Sequence, residues 1–458
     1  MSIDVYKKVR DILSSKVFLV VLVAIVLLQG IWYALSFQPS ILDEGRHIGF
    51  IELYSDRVSP FIAVQSPESD WLGEVTREPS YLYYYVMSWP LRVINLLTTD
   101  SRLQVISLRL MNILFFAGAI ILYDKFFRKM GISAALSRVV LLFLIITPAI
   151  AVLPGVVSYD NLMFLLSGWL LYLTACSVKT KTINYRLLAL VLLIALFGTL
   201  TKYTFVVLAI PLVVFLAVDI IKNKKLTMPK VVFSKVSIAL AVLLLTGLGL
   251  FVERPVKNVL SYGDIAPSCA DVLTEDRCLK YYVYERDAKA LSNRAVGFNP
   301  KSLYEYTFVD WLPNMIRSQV RLNPWEAPIL AMFALYSITV FGGAVLVLVY
   351  IRELMKARIF RLIMIAAVFY SLVLYLNNYL DYLRLGEVVA TSSRYLLPVQ
   401  PLIMLLVAAA IVRLLGKYKR SLLMSFFVLL LIFATGGSII TYLKTSSPEL
   451  RWSNRADS

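Results

Sequence analysis

The sequence predicts an all-helical, polytopic membrane protein, and three observations carry that expectation. The 458-residue chain has a mean hydropathy of +0.74, with 59% hydrophobic and 16% charged residues, a balance suited to lipid rather than water. Eleven apolar segments recur along it, at 16–36, 108–126, 139–156, 161–178, 187–201, 204–221, 234–252, 326–351, 361–379, 395–413 and 421–442. Each is read as a helix crossing the bilayer, because a helix satisfies its own backbone in hydrocarbon. Basic residues fall on one side of that series. Segments 1–16, 125–138, 179–186, 222–235, 352–361 and 413–420 hold 24 of the 46 Lys and Arg, and with adjoining Asp124 and Asp219 only five of the 29 acids.

That asymmetry orients the bundle. Lys and Arg mark the cytoplasmic side, so the N-terminus is expected inside and the C-terminus outside. The net charge of +17 follows from the same rule and needs no nucleic-acid partner. The first apolar stretch lacks a small-residue cleavage site, so 16–36 reads as a retained helix. The expected organisation is a transmembrane module over 1–252 with an outer loop at 37–107, an extracytoplasmic cap over 253–325, and C-terminal helices over 326–458.

The two outer segments are where function is expected, since the cytoplasmic loops are short. Residues 80–97 are rich in Tyr and Trp, which prefer the headgroup level, and Pro79 suits a helix start. The stretch reads as a helix lying in the outer interface; a twelfth span there would invert all that follows. In the cap, Cys269 and Cys278 face an oxidising compartment at a spacing that permits a disulfide or leaves two thiols. Cys176 sits in the fourth apolar segment. Residues 443–458 are polar and read as a loose tail.

Four places at the outer face carry reactive groups, each with a plain structural alternative. Asp43-Glu44 follows the first helix; an Asp there serves as a general base or as the N-cap of a helix at 44–55. Asp160, in a very short loop, is either a site acid or the N-cap of the next helix. Lys202 stands in a near-loopless turn on the side poor in cations. It grips an anion such as phosphate or snorkels to headgroups. Arg394 opens the 395–413 segment, where a guanidinium fork and a helix start suit phosphate, or where it anchors to headgroups. What distinguishes these residues is their coincidence at one membrane face.

In this setting the chain resembles the C superfamily of membrane glycosyltransferases, nearest to protein mannosyltransferases and lipid A aminoarabinose transferases. The likeness rests on Asp43-Glu44-Gly45-Arg46-His47, Glu78-Pro79-Ser80-Tyr81-Leu82-Tyr83-Tyr84, Ser107-Leu108-Arg109-Leu110, Thr201-Lys202 and Arg394-Tyr395-Leu396-Leu397-Pro398. It covers 1–220 and, locally, 390–405; the family often has two prolines where this chain has Glu78-Pro79-Ser80. The resemblance implies a polyprenyl- or dolichyl-phosphate-linked sugar donor and a glycan, lipid or protein acceptor. It implies inversion at the anomeric carbon through an oxocarbenium-like transition state. Asp43 and Glu44 are then the catalytic pair, with Asp43 the base. Arg46, His47, Glu78, Tyr83, Asp160, Lys202, Arg394 and Tyr395 line the substrate, and Lys202 and Arg394 hold the leaving phosphate. Some relatives use a divalent cation, for which Glu44, His47 or Asp160 would serve, but one histidine and scattered acids designate no metal site. The setting implied is a prokaryotic plasma membrane with the site facing out.

Two other functions fit a polytopic chain. A carrier or flippase of lipid-linked anionic glycans would need acids or bases at mid-depth, and none of the eleven segments supplies them. A non-catalytic scaffold would need no convergence of Asp43 with Arg394.

Overall fold

The computed structural model describes residues 3–39, 43–180, 182–223, 234–294, 298–320, 330–435 and 451–452. Among these residues the chain is helical throughout, with no sheet; Phe37 and Arg451 form one isolated β-bridge. Seven helices are long and apolar enough to cross a membrane: Lys16–Ser36, Ser101–Lys129, Tyr159–Lys179, Tyr203–Lys222, Lys235–Tyr262, Phe333–Leu354 and Arg358–Leu385. Ala134–Ile146 and Pro148–Gly155 make an eighth if counted as one span, bent by 79°. The break falls at Thr147-Pro148, where proline cannot donate to the preceding turn.

The remaining apolar segments form shorter helices: Tyr185–Thr201 and Gln400–Leu415 and, within the described residues, Lys419–Thr435. Among the described residues, seven or eight of the eleven expected spans are thus long and apolar enough to cross a membrane. Residues 436–442 of the last expected span, most of the 222–235 loop, and most of the 443–458 tail lie outside the described residues.

The short helix at 400–415 has a physical cause. The Tyr123 hydroxyl donates to the Pro398 carbonyl (2.6 Å). Tyr123 lies about 21 Å along its helix from Arg109, at 1.5 Å per residue. The chain bearing Arg394 thus dips between helices instead of passing over them, and Gln400–Leu415 begins deep in the bundle.

Close helix approach sets the scaffold. A Cβ on Gly155 would meet the Gly30 carbonyl oxygen at 2.8 Å and the Tyr33 side chain at 2.8 Å; one on Gly30 would meet Ile113 at 2.7 Å. Small residues of this kind let membrane helices touch backbone to backbone. Ion pairs lock the end of the bundle remote from Asp43: Arg138 with Asp124 (3.7 Å) and Arg358 with Asp219. Lys419 lies over the Tyr6 ring at this same end. At the other end Trp452 donates its backbone N–H to Ser36 (3.1 Å) and its indole N–H to Ala34 (3.3 Å).

The outer segments are folded. Helix Leu82–Asn95 buries Tyr83, Tyr84, Met87 and Leu91 and exposes Val86, Trp89 and Val93. It starts two residues later than expected, because Ser80 is used elsewhere: its hydroxyl accepts from the Tyr203 N–H (2.9 Å). Helix Lys235–Tyr262 runs ten residues past 252, and short helices follow over 269–294 and 303–320. Cys269 and Cys278 are joined by a disulfide, and Cys176 is free.

Candidate active site

The two adjacent carboxylates have opposite fates. Asp43 stands at the N-cap position of helix Glu44–Ser55, yet with φ +61° and ψ +20° and no side-chain cap bond. The expected N-cap role is therefore not what the structure shows. A non-glycine residue in the left-handed region is strained by about 1–3 kcal/mol, and here that conformation turns the carboxylate outward. Its Oδ2 accepts from Arg394 Nη2 (2.7 Å) and its Oδ1 from the Tyr282 hydroxyl (2.7 Å). Burial alone would raise the Asp43 pKa; the Arg394 charge and the two hydrogen bonds outweigh it and hold the carboxyl below its usual range.

Glu44 points into the protein. Its carboxylate forks with Arg109, Nε to Oε1 at 2.7 Å and Nη2 to Oε2 at 2.6 Å, and Oε1 also accepts from the Val157 N–H (2.8 Å). Both side chains are fully buried. Arg109 Nη1 donates to the Ala34 and Phe37 carbonyls as well. This pair ties four elements together: helix Glu44–Ser55, the end of helix Lys16–Ser36, helix Ser101–Lys129, and the turn after Gly155. Glu44, expected in the catalytic pair, is closed off from any substrate, because every direction around its carboxylate is filled by protein.

Asp160 and Lys202 form the second ion pair, Nζ to Oδ1 at 2.8 Å. The expected N-cap role of Asp160 falls to Ser158, whose hydroxyl accepts from the Asp160 N–H. Lys202 neither snorkels nor stands free: it is buried over the rings of Tyr159 (4.4 Å) and Tyr395 (4.9 Å). Arg394 lies over Tyr395 (5.3 Å) and within electrostatic reach of both Asp43 and Asp160. Arg394 stays charged, since the surrounding phenols and carboxylates outweigh the cost of burying it. The structure thus gathers Asp43, Asp160, Lys202, Arg394 and Tyr395 in one cluster of paired charges.

The other expected residues lie around it or in the core beneath. His47 is buried against Tyr84, with Nδ1 3.0 Å from the hydroxyl, and edge-on to Tyr159 (4.6 Å). Burial pushes its pKa down to about 3, so the ring is neutral. Arg46 donates to the Leu72 carbonyl (3.1 and 2.8 Å) and lies over Tyr281 (4.4 Å). Glu78 accepts from the Ser80 N–H (3.1 Å). Tyr83, expected at the substrate, is core instead: its hydroxyl donates to Asn112 (3.0 Å).

Sequence reasoning passed over Tyr159, Tyr281, Tyr282 and Asn112. Tyr159 had a signal, adjacency to Asp160. Tyr281 and Tyr282 had none, being more than 200 residues from Asp43. Among the described residues no group of three or more His, Cys, Asp and Glu gathers to hold a metal. Asp43 and Asp160 each face a cation of the protein.

Comparison with curated proteins gives no match. Residues 77–252, the stretch that supplies Glu78, Tyr83, Asp160 and Lys202, match the Alg9-like mannosyltransferase family, which is of the C-superfamily type, and this match supports a membrane glycosyltransferase.

Proposed function

We propose that the protein transfers mannose from a dolichyl- or other polyprenyl-phosphate donor to a hydroxyl of a glycan acceptor, with inversion. The observation that carries the proposal is the cluster of paired charges itself. It brings Asp43, from before the matched stretch, and Arg394, from far beyond it, against Asp160 and Lys202 within it.

The roles follow from charge and reach. Asp43 is ionised at neutral pH and accepts the proton of the acceptor hydroxyl as that oxygen attacks the anomeric carbon. The C–O bond to the lipid phosphate breaks on the opposite face. Arg394 and Lys202 take the negative charge that builds on the leaving phosphate, the contribution expected of cations shielded from water. Asp160 sets the position of Lys202. Glu44 supports the site through Arg109 and does not touch substrate. His47 is neutral and serves as wall. Charge asymmetry supports a site on the side away from the cytoplasm. By the same organisation, 1–252 is the catalytic module, 253–325 the cap, and 326–458 the helices that bring Arg394.

The test is turnover of polyprenyl-phosphate mannose by purified protein and by Asp43→Asn, which keeps the shape and loses the proton acceptor. General-base removal costs about 10²–10⁴-fold. The variant should fold and bind donor, yet turn over at least about a hundredfold more slowly. Near-wild-type turnover would remove Asp43 from the role and pass it to Asp160. Movement of intact donor across liposomes with no transfer would replace the enzyme by a carrier, which the family match does not support.

A further inference from the structure

The cap reaches the site through Tyr281, whose ring lies under Arg46, and through the Tyr282 hydroxyl at Asp43. Its disulfide, with both cysteines buried, closes a small hairpin. Arg277, next to Cys278, forks onto the buried carboxylate of Asp70: Nη2 to Oδ1 at 2.7 Å, Nε to Oδ1 and Oδ2 at 3.1 and 3.0 Å. Arg277 also donates to the Gln65 carbonyl (3.1 Å), and Lys280 Nζ stands 3.3 Å from Asp70 Oδ2. Asp70 belongs to the first outer segment, so the hairpin is docked on the same unit that carries Asp43. Four residues past Cys278, helix Tyr282–Arg294 begins. Its far end is held by Arg294 donating to the Arg384 carbonyl (2.9 Å) and by Arg384 with Asp287 (3.3 Å). Fixed at both ends, the segment delivers the Tyr282 hydroxyl to Asp43 Oδ1.

Asp43 needs such a partner. Its own helix offers it no cap bond, so nothing local fixes the plane of its carboxylate. Arg394 holds one oxygen and Tyr282 the other. With both in place the carboxylate is held as a plane, and the lone pairs that remain are aimed by the protein.

We infer that Tyr282 is a positioning residue for Asp43, and that the disulfide-closed hairpin docked on Asp70 is the arm that sets it there. The inference deepens the proposed function, resting on Asp43 as the base. The groups facing Asp43 are Arg394, Tyr282, Tyr281 and the neutral His47. Of the hydrogen bonds that hold the Asp43 pKa down, one comes from Tyr282. Loss of that hydroxyl therefore moves the Asp43 titration to higher pH, an effect that a merely structural tyrosine would not have.

The experiment uses full-length protein in nanodiscs, with the Asp43 carboxylate band followed by infrared difference titration and assigned through Asp43→Asn. Tyr282→Phe should shift the titration to higher pH. It should also shift the acid limb of mannose release from polyprenyl-phosphate mannose in the same direction, and lower kcat by on the order of tenfold with little change in donor KM. Arg277→Met should shift the titration the same way, and the double variant should shift it no further than Tyr282→Phe alone, since both act through one contact. An unchanged titration in Tyr282→Phe overturns the positioning role, and additive shifts in the double variant overturn the arm. Should the titration shift while wild-type protein releases no mannose, the positioning contact stands and the enzymatic reading is what fails.

Discussion

The central helices of the bundle and the peripheral ones are built differently. In Tyr159–Lys179, 67% of the apolar window is buried inside the protein, and in Ser101–Lys129, 50%; in Lys235–Tyr262 and Phe333–Leu354 the shares are 6% and 11%. The first group is surrounded by helices, closed by Gly30, Gly155 and Gly168 at close approaches, and pinned by the Glu44–Arg109 pair. The second group turns apolar flanks to the surroundings. Lipid is as apolar as leucine, so burying such a flank against another helix gains little, and the peripheral helices need only loose contact. Close packing is concentrated around the helices that carry Asp160 and Arg109. The later chain contributes to the site through few contacts: Arg394 and Tyr395 from one loop, Tyr281 and Tyr282 from the cap.

The contrast is broken most severely at its pin. Arg109→Met leaves the Glu44 carboxylate buried and unpaired, which costs about 3–5 kcal/mol. Glu44→Gln should cost somewhat less, because one oxygen still accepts from Val157. Thermal unfolding in detergent reads both, and turnover per folded molecule should fall less in Glu44→Gln than in Asp43→Asn. If Glu44→Gln lost turnover without losing stability, Glu44 would belong to the chemistry and not to the scaffold.

Next in size are the cations. Lys202→Ala and Arg394→Ala should each weaken binding of a polyprenyl-phosphate sugar by about tenfold or more, as expected for a lost charge-assisted bond worth roughly 1.5–3 kcal/mol. Arg394→Lys should restore only part, because an ammonium lacks the fork that spans Asp43 and a phosphate. Unchanged donor affinity in both alanine variants, by equilibrium binding in nanodiscs, would leave the two cations as partners of Asp43 and Asp160 only.

A third pair of substitutions addresses packing directly. Gly155→Ala places a methyl group inside 3 Å of the Gly30 carbonyl and Tyr33, and overpacking of that kind costs about 1–3 kcal/mol. A Cβ on Gly249 would meet nothing within 4 Å, and Gly249→Ala in a helix interior should be neutral or gain up to about 1 kcal/mol. Equal destabilisation at both sites would mean that the peripheral helices are packed as tightly as the central ones.

The smallest effect sharpens the site itself. The Asp43 carboxyl is held below its ordinary value, so the base stays ionised as pH falls through the usual carboxylate range, and transfer should fail only below it. The pair with Arg394 likewise stabilises the fold above the unfolded carboxylate pKa and is lost as pH falls through the depressed folded value. His47, neutral down to about pH 3, should add no limb near pH 6.5. A kcat profile with an acid limb near pH 6.5 would contradict both assignments.

How much of this was legible in sequence differs by residue. Asp43, Asp160, Lys202 and Arg394 were singled out as charges flanking apolar segments at one face, and the structure gathers them. Glu44 and Tyr83 stood in the same motifs but turn inward, since neighbouring residues on a helix or turn point in different directions and motif spacing carries no rotation. Hydropathy registers an apolar stretch without the length of its helix, and the segments at 187–201 and 395–413 are the shorter helices Tyr185–Thr201 and Gln400–Leu415.

The sequence by itself determined the membrane class, the helical fold, and which charges stand at the ends of helices, because hydropathy and charge act locally along the chain. Only the tertiary structure decided which carboxylate is open and which is sealed, that each site acid is paired with a distant cation, and that a cap tyrosine 239 residues away rests on Asp43. Those outcomes depend on the rotation and depth of helices packed against one another. Such quantities are set by contacts between remote segments, and no window of sequence contains them.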